Sequence, residues 1–231
     1  GPGVFPSAVD AEVDPPAGHH RRRRVDFRIN SRWKYTWALD RIIAISAAVR
    51  AVLIDCGIDP RHIAVVHSGI DLARVDERPD RAAARRLFGI AEDEPAVGMV
   101  AALTDHKGHR FLLEAWPAVL ERVPRARLLL AGTGELEEEL KAMTARLGIG
   151  ETVRFLGFWR NPPVLLAALD LFVLSSHLEG LCTSTMDAMA AGLAVVATTA
   201  GGIPEVVLDG HTGLLAPPRR PEPLAERIVE L

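Results

Sequence analysis

Short apolar segments rich in β-branched residues alternate with amphipathic segments from residue 40 to the end of the chain. The apolar segments have the length of buried strands, and the amphipathic segments have the length of helices that cross over a sheet. This alternation predicts a parallel sheet with helices packed against it. We expect the strands to lie at 41–45, 63–66, 96–100, 127–131, 152–156, 171–174, 194–197 and 213–215.

The segments between these strands have helical periodicity. In the segment 108–122, one apolar stripe indicates a helix that lies on a sheet. This stripe consists of Phe111, Leu112, Ala115, Val119 and Leu120. The six strands from residue 96 onward therefore predict one α/β domain with a Rossmann-like, doubly wound parallel sheet. We expect the helices to lie at 47–55, 80–88, 108–122, 135–147, 162–169, 183–191 and 221–231.

The first 24 residues have a different composition from the rest of the chain. Proline, glycine, alanine and scattered acids precede His19, His20 and the four arginines of 21–24. We expect a disordered or non-native tail at 1–24, because such a segment buries little apolar surface. Four arginines are few for a site that binds anionic lipid, so a solvated tail is the favoured interpretation. The histidine pair has no further residue at the spacing of a metal site.

Residues 25–66 contain two of the expected strands, which are too few to form a covered sheet by themselves. They either pack on the domain at 67–231 or belong to a preceding domain. The last helix, at 221–231, carries no C-cap signal. We therefore interpret the chain as a fragment at both ends, with 25–66 as the remnant of one domain and 67–231 as a second domain truncated at its C-terminus.

Charge and cysteine content narrow the classes of function. The 231 residues include 27 Lys and Arg against 30 Asp and Glu, and this net charge of -3 argues against nucleic-acid binding. Hydrophobic residues make up 48% of the chain and charged residues 25%, which is typical of globular proteins. Cys56 and Cys182 indicate neither a disulfide framework nor a zinc site. The sequence has no apolar run of the length that spans a membrane and no signal-peptide pattern, so we expect a cytoplasmic protein.

Ligands bind at the carboxyl ends of the strands in an open parallel sheet, so the loops after the strands hold the candidate site. After the strand at 96–100, Lys107 and Gly108 directly precede a helix. The N-terminus of a helix favours anions, which makes a lysine there electrostatically misplaced unless it binds a ligand. A diphosphate held by Lys107 and by the free N–H groups of the first turn would explain it. An ordinary exposed lysine fits the pattern equally well.

Two glycine pairs follow other strands. Gly132 and Gly134 permit the close approach of a ligand, or they form a plain tight turn. They are not a dinucleotide fingerprint, since Glu137 stands where that motif needs glycine. Gly201 and Gly202 predict an exposed turn into a short helix, with a simple strand-to-helix turn as the alternative.

The segment 175–192 is the most informative part of the sequence. Glu179 falls in a loop and Asp187 lies eight positions later in a helix. Carboxylates of this kind are natural partners of sugar and ribose hydroxyls. Thr183 and Ser184 begin the helix, where free N–H groups form a second anion site. Either hydroxyl also suits a helix cap, which does not exclude a ligand.

Together, these loops resemble glycosyltransferase family 4, whose members are GT-B enzymes with two Rossmann-like domains that face each other across a cleft. The resemblance covers about 25–231 and implies that the chain holds the C-terminal, donor-binding domain and the end of an N-terminal domain that is mostly absent. The segments 23–27 and 40–46 resemble that end, and 67–71 resembles the crossing between the domains. The matching motifs are Lys-Gly at 107–108, Ala-Gly-Thr-Gly at 131–134, Glu-Gly at 179–180, Asp-Ala-Met-Ala-Ala-Gly at 187–192 and Ala-Gly-Gly-Ile-Pro-Glu at 200–205.

The resemblance implies roles for individual residues. Lys107 meets the donor diphosphate. Glu179 is the first acid of the family's E-x7-E motif and faces the donor sugar, and Asp187 is the second and lies near the ribose. Gly157 and Phe158 belong to the stretch that lines the base pocket. The remaining residues expected to bind the donor are Gly132, Gly134, Gly180, Thr183, Ser184, Gly201 and Gly202.

Three positions depart from the family pattern. Ala102 stands where an arginine is usual, so the diphosphate site loses one cation. Asp187 replaces the usual glutamate and is one methylene shorter. Cys182 stands where glycine is common, and its side chain crowds the region expected to hold the sugar. These departures bear on the identity and affinity of the donor more than on the fold.

The family resemblance implies transfer from a nucleoside-diphosphate sugar with retention of anomeric configuration. The acceptor is expected to be a glycan or a lipid-linked molecule, in glycan, lipopolysaccharide or glycolipid synthesis, with peripheral contact at the inner face of the membrane left open. No Asp-x-Asp pair occurs in a ligand-bearing loop, which fits a site without metal or other cofactor. Two alternatives remain: a non-hydrolysing sugar-nucleotide epimerase, and a nucleotide-sugar-binding fragment without turnover.

Overall fold

Two parallel sheets organise the part of the chain that the computed structural model describes, which comprises residues 20–23, 41–71 and 79–231. The larger sheet has six strands in the order β6-β5-β4-β7-β8-β9. Its strands are β4 (Ala96–Val100), β5 (Arg127–Ala131), β6 (Val153–Gly157), β7 (Leu171–Leu174), β8 (Ala194–Thr198) and β9 (Leu214–Ala216).

All neighbouring strands of the larger sheet run parallel. The first strand of this sheet along the chain, β4, lies in its centre, and β5 and β6 follow outward on one side. The chain then returns to the other side of β4 with β7. This reversal between β4 and β7 makes the sheet doubly wound. The prediction of a Rossmann-like parallel α/β sheet is therefore confirmed.

Helices cover the faces of the larger sheet. In the helix α3 (His109–Arg122), the side chains of Leu112, Ala115 and Val119 are buried, as the apolar stripe of the sequence predicts. The largest fully buried side chains of the core include Trp116 on this helix and Phe172 on β7. The helices are α2 (Arg81–Leu87), α3 (His109–Arg122), α4 (Glu137–Arg146), α5 (Pro162–Ala168), α6 (Thr183–Ala190) and α7 (Pro221–Glu230).

The smaller sheet has the order β1-β2-β3 and is also parallel. Its strands are β1 (His20–Arg23), β2 (Arg41–Ala44) and β3 (Ile63–Val65), and helix α1 (Ala47–Asp55) connects β2 to β3. The apolar core of this unit includes Ile42, Val49 and Leu53. Leu181, Met186 and Val206 of the larger unit pack against it. The two units therefore share an apolar contact.

The expectation of little structure through residue 24 is wrong for His20–Arg23. These residues form a strand because their backbone groups pair with Arg41–Ala44 in parallel register. The other residues of the expected tail, and the segment 24–40, lie outside the described residues. Among the residues that the structure describes, no helix is long and apolar enough to cross a membrane.

Candidate functional site

The loops that follow β4 and β7 meet at the carboxyl edge of the larger sheet, where the strand order reverses. Crevices at this position of a doubly wound sheet are the usual ligand sites of such folds. Lys107 follows β4 and lies in a short 3₁₀ turn, Asp105–Lys107, which leads through Gly108 into α3. Glu179 follows β7. The topology therefore brings together two residues that the sequence separates by 72 positions.

Lys107 and Glu179 form an ion pair in this crevice. The ammonium Nζ of Lys107 donates to Oε2 of Glu179 at 2.6 Å, and Ser176 donates its hydroxyl to the same oxygen at 3.3 Å. The Glu179 side chain is only 7% exposed, whereas the Lys107 side chain is 21% exposed. The lysine thus has more contact with solvent than the carboxylate that neutralises it.

Hydrogen bonds to main-chain carbonyls hold these two loops together. The amide of His177 donates to the carbonyl of His106 at 2.9 Å, and the hydroxyl of Ser175 donates to the carbonyl of Gly108 at 3.0 Å. Gly108 adopts φ +70, and a Cβ there would lie 2.1 Å from the carbonyl oxygen of Ser175. Glycine is required at this position because the two loops approach each other so closely.

The start of α6 lies in the loop after β7. Thr183 is the first residue of the helix and Ser184 the second, but the residue before the helix is Cys182. The expected side-chain cap is not observed: in the described part of the chain, no side chain caps this helix. Its first N–H groups are therefore available to an anion. Burial raises the pKa of the Cys182 thiol to about 11, so this cysteine is a neutral, packed side chain.

Gly132 and Gly134 have a structural explanation. A Cβ on Gly132, which adopts φ +150, would lie 1.9 Å from the carbonyl oxygen of Ala101, and a Cβ on Gly134 would lie 2.3 Å from that of Leu103. The chain segments after β4 and β5 pack main chain against main chain here. This packing accounts for both glycines, whether or not a ligand also approaches them.

The turn at 201–205 leads into a short 3₁₀ helix as predicted, but it is exposed only in part: Gly202 is buried, whereas Pro204 and Glu205 are exposed. A Cβ on Gly202 would lie 2.3 Å from the carbonyl oxygen of Gly180 and 2.8 Å from Cβ of Ser46. The amide of Gly202 donates to the main-chain carbonyl of Glu179 at 3.2 Å. The turn is therefore in direct contact with the Glu179 loop on one side and with the smaller unit on the other.

Sequence reasoning missed the contacts of Glu205. Its carboxylate accepts hydrogen bonds from the amides of Ala47 at 2.8 Å and Ala48 at 2.9 Å, and it lies 2.9 Å from Nε2 of His67. Burial raises the pKa of Glu205, but the two amides and His67 more than offset it and hold the pKa below its ordinary value. These partners lie more than 130 positions away along the chain, so no local signal points to them.

His109, the first residue of α3, is a second group that the sequence analysis did not consider. It is 2% exposed, and neither ring nitrogen has a hydrogen-bond partner among the described residues. Burial, with smaller contributions from Lys107 and His106, lowers the pKa of His109 to about 4. The ring is therefore neutral at pH 7, because its pKa lies below that pH.

The remaining predicted positions lie around the same edge. Gly157 ends β6 with φ +64, and the neighbouring Phe158 side chain is exposed. Gly180 is buried beside Gly202. Asp187 lies in α6, one turn after its first residue. Within the described ranges, no group of three or more His, Cys, Asp or Glu side chains is arranged to hold a metal ion.

A doubly wound parallel sheet defines the class of Rossmann-like α/β proteins, which carry ligand sites where the strand order reverses. Comparison with known families is more specific. Residues 94–231 match the family described as "Glycosyl transferases group 1", and residues 10–74 match the family described as "Glycosyltransferase Family 4". The chain belongs to the group 1 glycosyl transferases and shares the fold of the GT-B enzymes.

Among curated proteins, the chain is similar to the D-inositol 3-phosphate glycosyltransferase of Geodermatophilus obscurus. The two are 37% identical over 206 residues, which is 82% of this chain and 44% of the relative. The chain thus spans less than half the length of this relative.

Two solved structures resemble the chain closely. HepE of Anabaena, in complex with UDP-glucose, superposes with a TM-score of 0.77 at 30% identity and covers 84% of this chain and 54% of that one. The C-terminal domain of a glycosyl transferase group 1 family protein from Francisella tularensis has a TM-score of 0.64 at 26% identity, and the match covers 71% of this chain and 87% of that domain.

Proposed function

We propose that this chain carries the donor-binding half of a retaining glycosyltransferase, which moves a sugar from a nucleoside-diphosphate sugar to an acceptor. The observation that carries the proposal is the Lys107–Glu179 pair at the switch point of the sheet. In this proposal the Lys107 cation binds the diphosphate, and the adjacent Glu179 carboxylate binds the sugar. The helices α3 and α6 both begin at the carboxyl edge of this sheet.

In the proposed reaction the nucleoside diphosphate is the leaving group, and the site must stabilise its developing negative charge. Lys107 supplies a positive charge, and the free N–H groups at the start of α6 supply hydrogen-bond donors. The Lys107 charge and these N–H donors together stabilise the diphosphate. Ala102 replaces the family's usual arginine, so Lys107 bears more of this task.

Glu179 and Asp187 are assigned to the hydroxyl groups of the donor. When a diphosphate takes the Lys107 ammonium, the Glu179 carboxylate is released to accept hydrogen bonds from the sugar. Asp187 is assigned to the ribose, and Gly157 with the exposed Phe158 to the base. The glycines at 132, 134, 180, 201 and 202 shape the main chain around these groups.

The comparisons support the donor side of this proposal. The solved structure of HepE contains UDP-glucose, and the Geodermatophilus relative is named for transfer to an inositol phosphate. We assign the acceptor to the class of glycans or lipid-linked molecules, and the reaction to the cytoplasm or the inner face of the membrane. Because the matched relatives are named as glycosyltransferases, transfer is favoured over epimerisation.

A second candidate is a nucleotide-sugar-binding module without turnover. It is favoured because the chain spans only part of its relatives' length, 44% for the Geodermatophilus protein. A transfer assay with glycan and lipid acceptors separates the two. In the transferase, the product retains the anomeric configuration of the donor, which proton NMR reads directly. Binding without transfer to any acceptor favours the module.

Donor binding itself is tested by calorimetric titration of the chain with UDP, GDP and ADP and with their glucose or mannose conjugates. We expect one base to bind, and Lys107→Met to raise its Kd by about tenfold or more, since a hydrogen bond to a charged group contributes about 1.5–3 kcal/mol.

The matched control is Lys141→Met, which removes a lysine of α4 that pairs with Glu137 and Glu138 on its own helix. We expect this variant to bind as the unchanged chain does. Equal affinities in all three proteins would exclude Lys107 from the site, and no binding by the unchanged chain would refute the proposed function.

A further inference from the structure

We propose that Glu205 is a positioning residue, which anchors the turn 201–205 to the start of α1 and thereby fixes the main chain of Glu179 where the donor sugar is bound. The inference rests on the proposed function. Its support is a continuous path of contacts from the smaller unit to the Glu179 loop.

The first step of this path is the start of α1. Ala47, Ala48 and Val49 are its first three residues, and their amides all have partners. Ser46 accepts from Val49 at 3.1 Å, while the two oxygens of Glu205 accept from Ala47 and Ala48. A carboxylate from the larger unit therefore completes the cap of a helix in the smaller unit, where the helix dipole favours negative charge.

The second step is His67, which follows β3 and begins the segment that leads out of the smaller unit. Its Nε2 lies 2.9 Å from Oε2 of Glu205, the oxygen that also binds Ala47. One carboxylate thus contacts both the beginning of α1 and the segment after β3. The Glu205 side chain is 23% exposed, so solvent screens these contacts only in part.

The third step runs from Glu205 back to the candidate sugar site. The amide of Glu205 donates to the carbonyl of Gly202 at 3.1 Å, and the amide of Gly202 donates to the carbonyl of Glu179 at 3.2 Å. Gly202 has no room for a side chain, since a Cβ would meet Gly180 on one side and Ser46 on the other. The turn is therefore packed tightly between the Glu179 loop and the smaller unit.

This geometry separates two parts of donor recognition. Lys107 and the start of α3 follow β4, and in the described part of the chain no hydrogen bond joins them to the turn directly, whereas the Glu179 main chain is bonded to it. Loss of the Glu205 contacts is thus expected to affect recognition of the sugar more than recognition of the diphosphate, because precise placement of a binding group depends on the contacts that support it.

The test compares the unchanged chain with Glu205→Ala, Glu205→Gln and a control, Glu121→Gln, at an exposed position of α3. For each protein, the Kd values of a nucleoside diphosphate and of its glucose or mannose conjugate are measured by calorimetry, using the base that binds the unchanged chain. Amide hydrogen exchange at Ala47 and Ala48 measures whether their hydrogen bonds at the start of α1 are intact, and it needs no ligand.

In Glu205→Ala, we expect faster exchange at Ala47 and Ala48 and a ratio of the two affinities shifted by about fivefold against the sugar conjugate. Glu205→Gln retains one acceptor oxygen and is expected to fall between Glu205→Ala and the unchanged chain. Glu121→Gln is expected to match the unchanged chain.

An unaltered affinity ratio in Glu205→Ala would overturn the inference and leave donor binding intact. A merely structural role would weaken both ligands by the same factor, which also overturns it, as would unaltered exchange at Ala47 and Ala48. If the unchanged chain binds no nucleoside diphosphate or conjugate, the proposed function fails together with the inference.

Discussion

The two sheets of this chain are built from the same parallel α/β pattern, yet they differ in what lies at their edges. At the carboxyl edge of the larger sheet are a partly buried ion pair, several positive-φ glycines, and a buried histidine without a hydrogen-bond partner in the described part of the chain. The described part of the smaller unit has an apolar core, a helix with a capped start and one positive-φ glycine, Gly57, after that helix.

This difference shows where the structure tolerates unfavourable local features. Positive-φ backbone and buried, unpartnered polar groups each reduce stability, and they persist where surrounding packing holds them in place. Of the five buried side-chain atoms without a hydrogen-bond partner in the described part of the chain, four belong to His109, His177 and Thr185 at the edge that we assign to the donor. Positive-φ glycines occur at this edge and also away from it, as at Gly57 and Gly148. The contrast between the sheets therefore supports the assignment on physical grounds that do not depend on sequence motifs.

The largest effect is expected from Gly132→Ala at the carboxyl edge. The added Cβ would lie 1.9 Å from the carbonyl oxygen of Ala101, in a backbone conformation that side chains rarely adopt. We expect a loss of about 3–4 kcal/mol in the free energy of unfolding, because both strain and a main-chain clash result.

The matched control is Gly150→Ala, where an added Cβ has no atom within 4 Å and the backbone needs no positive φ. Urea denaturation of both variants measures the difference, and we expect the control to stay within about 0.5 kcal/mol of the unchanged chain. Equal stabilities of the two variants would contradict the close packing of the segments after β4 and β5.

A smaller effect is expected from His109 as the pH falls. Its pKa is lowered from 6.5 to about 4 in the folded chain, so the unfolded state binds the proton first. Stability is then fully present above pH 6.5 and is lost as the pH falls towards 4, with about 2 kcal/mol lost between pH 7 and pH 5. Urea denaturation at both values measures this slope.

His109→Gln removes the titrating ring, and we expect it to remove most of that slope even if the variant is less stable at pH 7. Hydrogen exchange separates the two sheets: exchange in β4 and β7 should accelerate at pH 5 relative to the intrinsic rate, more than exchange in β2. A slope that persists in His109→Gln would assign the acid sensitivity to other groups.

Most strands of the larger sheet could be predicted from the sequence, because they are continuous apolar segments. The strands at 96–100, 127–131 and 171–174 were predicted with the bounds that the structure has, and the helix predicted at 108–122 begins one residue later. The start of the helix expected at 135 lies at Glu137, since Leu136 and the residues before it belong to a turn.

Features that depend on distant parts of the chain were not predictable. His20–Arg23 has no apolar signal and becomes a strand only through its pairing with β2. The Glu205 contacts join residues more than 130 positions apart, and the pairing of Lys107 with Glu179 requires β7 to lie beside β4. Sequence identified the loops, while topology determined which side chains meet.

The central claim is that a nucleoside-diphosphate sugar binds at the carboxyl edge of the larger sheet. The most direct measurement is a map of amide chemical-shift changes when the nucleoside diphosphate that binds is added to the isotope-labelled chain. We predict the largest changes at Lys107, Gly108, Thr183 and Ser184, with smaller changes at the Gly201–Gly202 turn. Changes confined to the opposite edge of the sheet, around Pro95 and Thr152, would contradict the account.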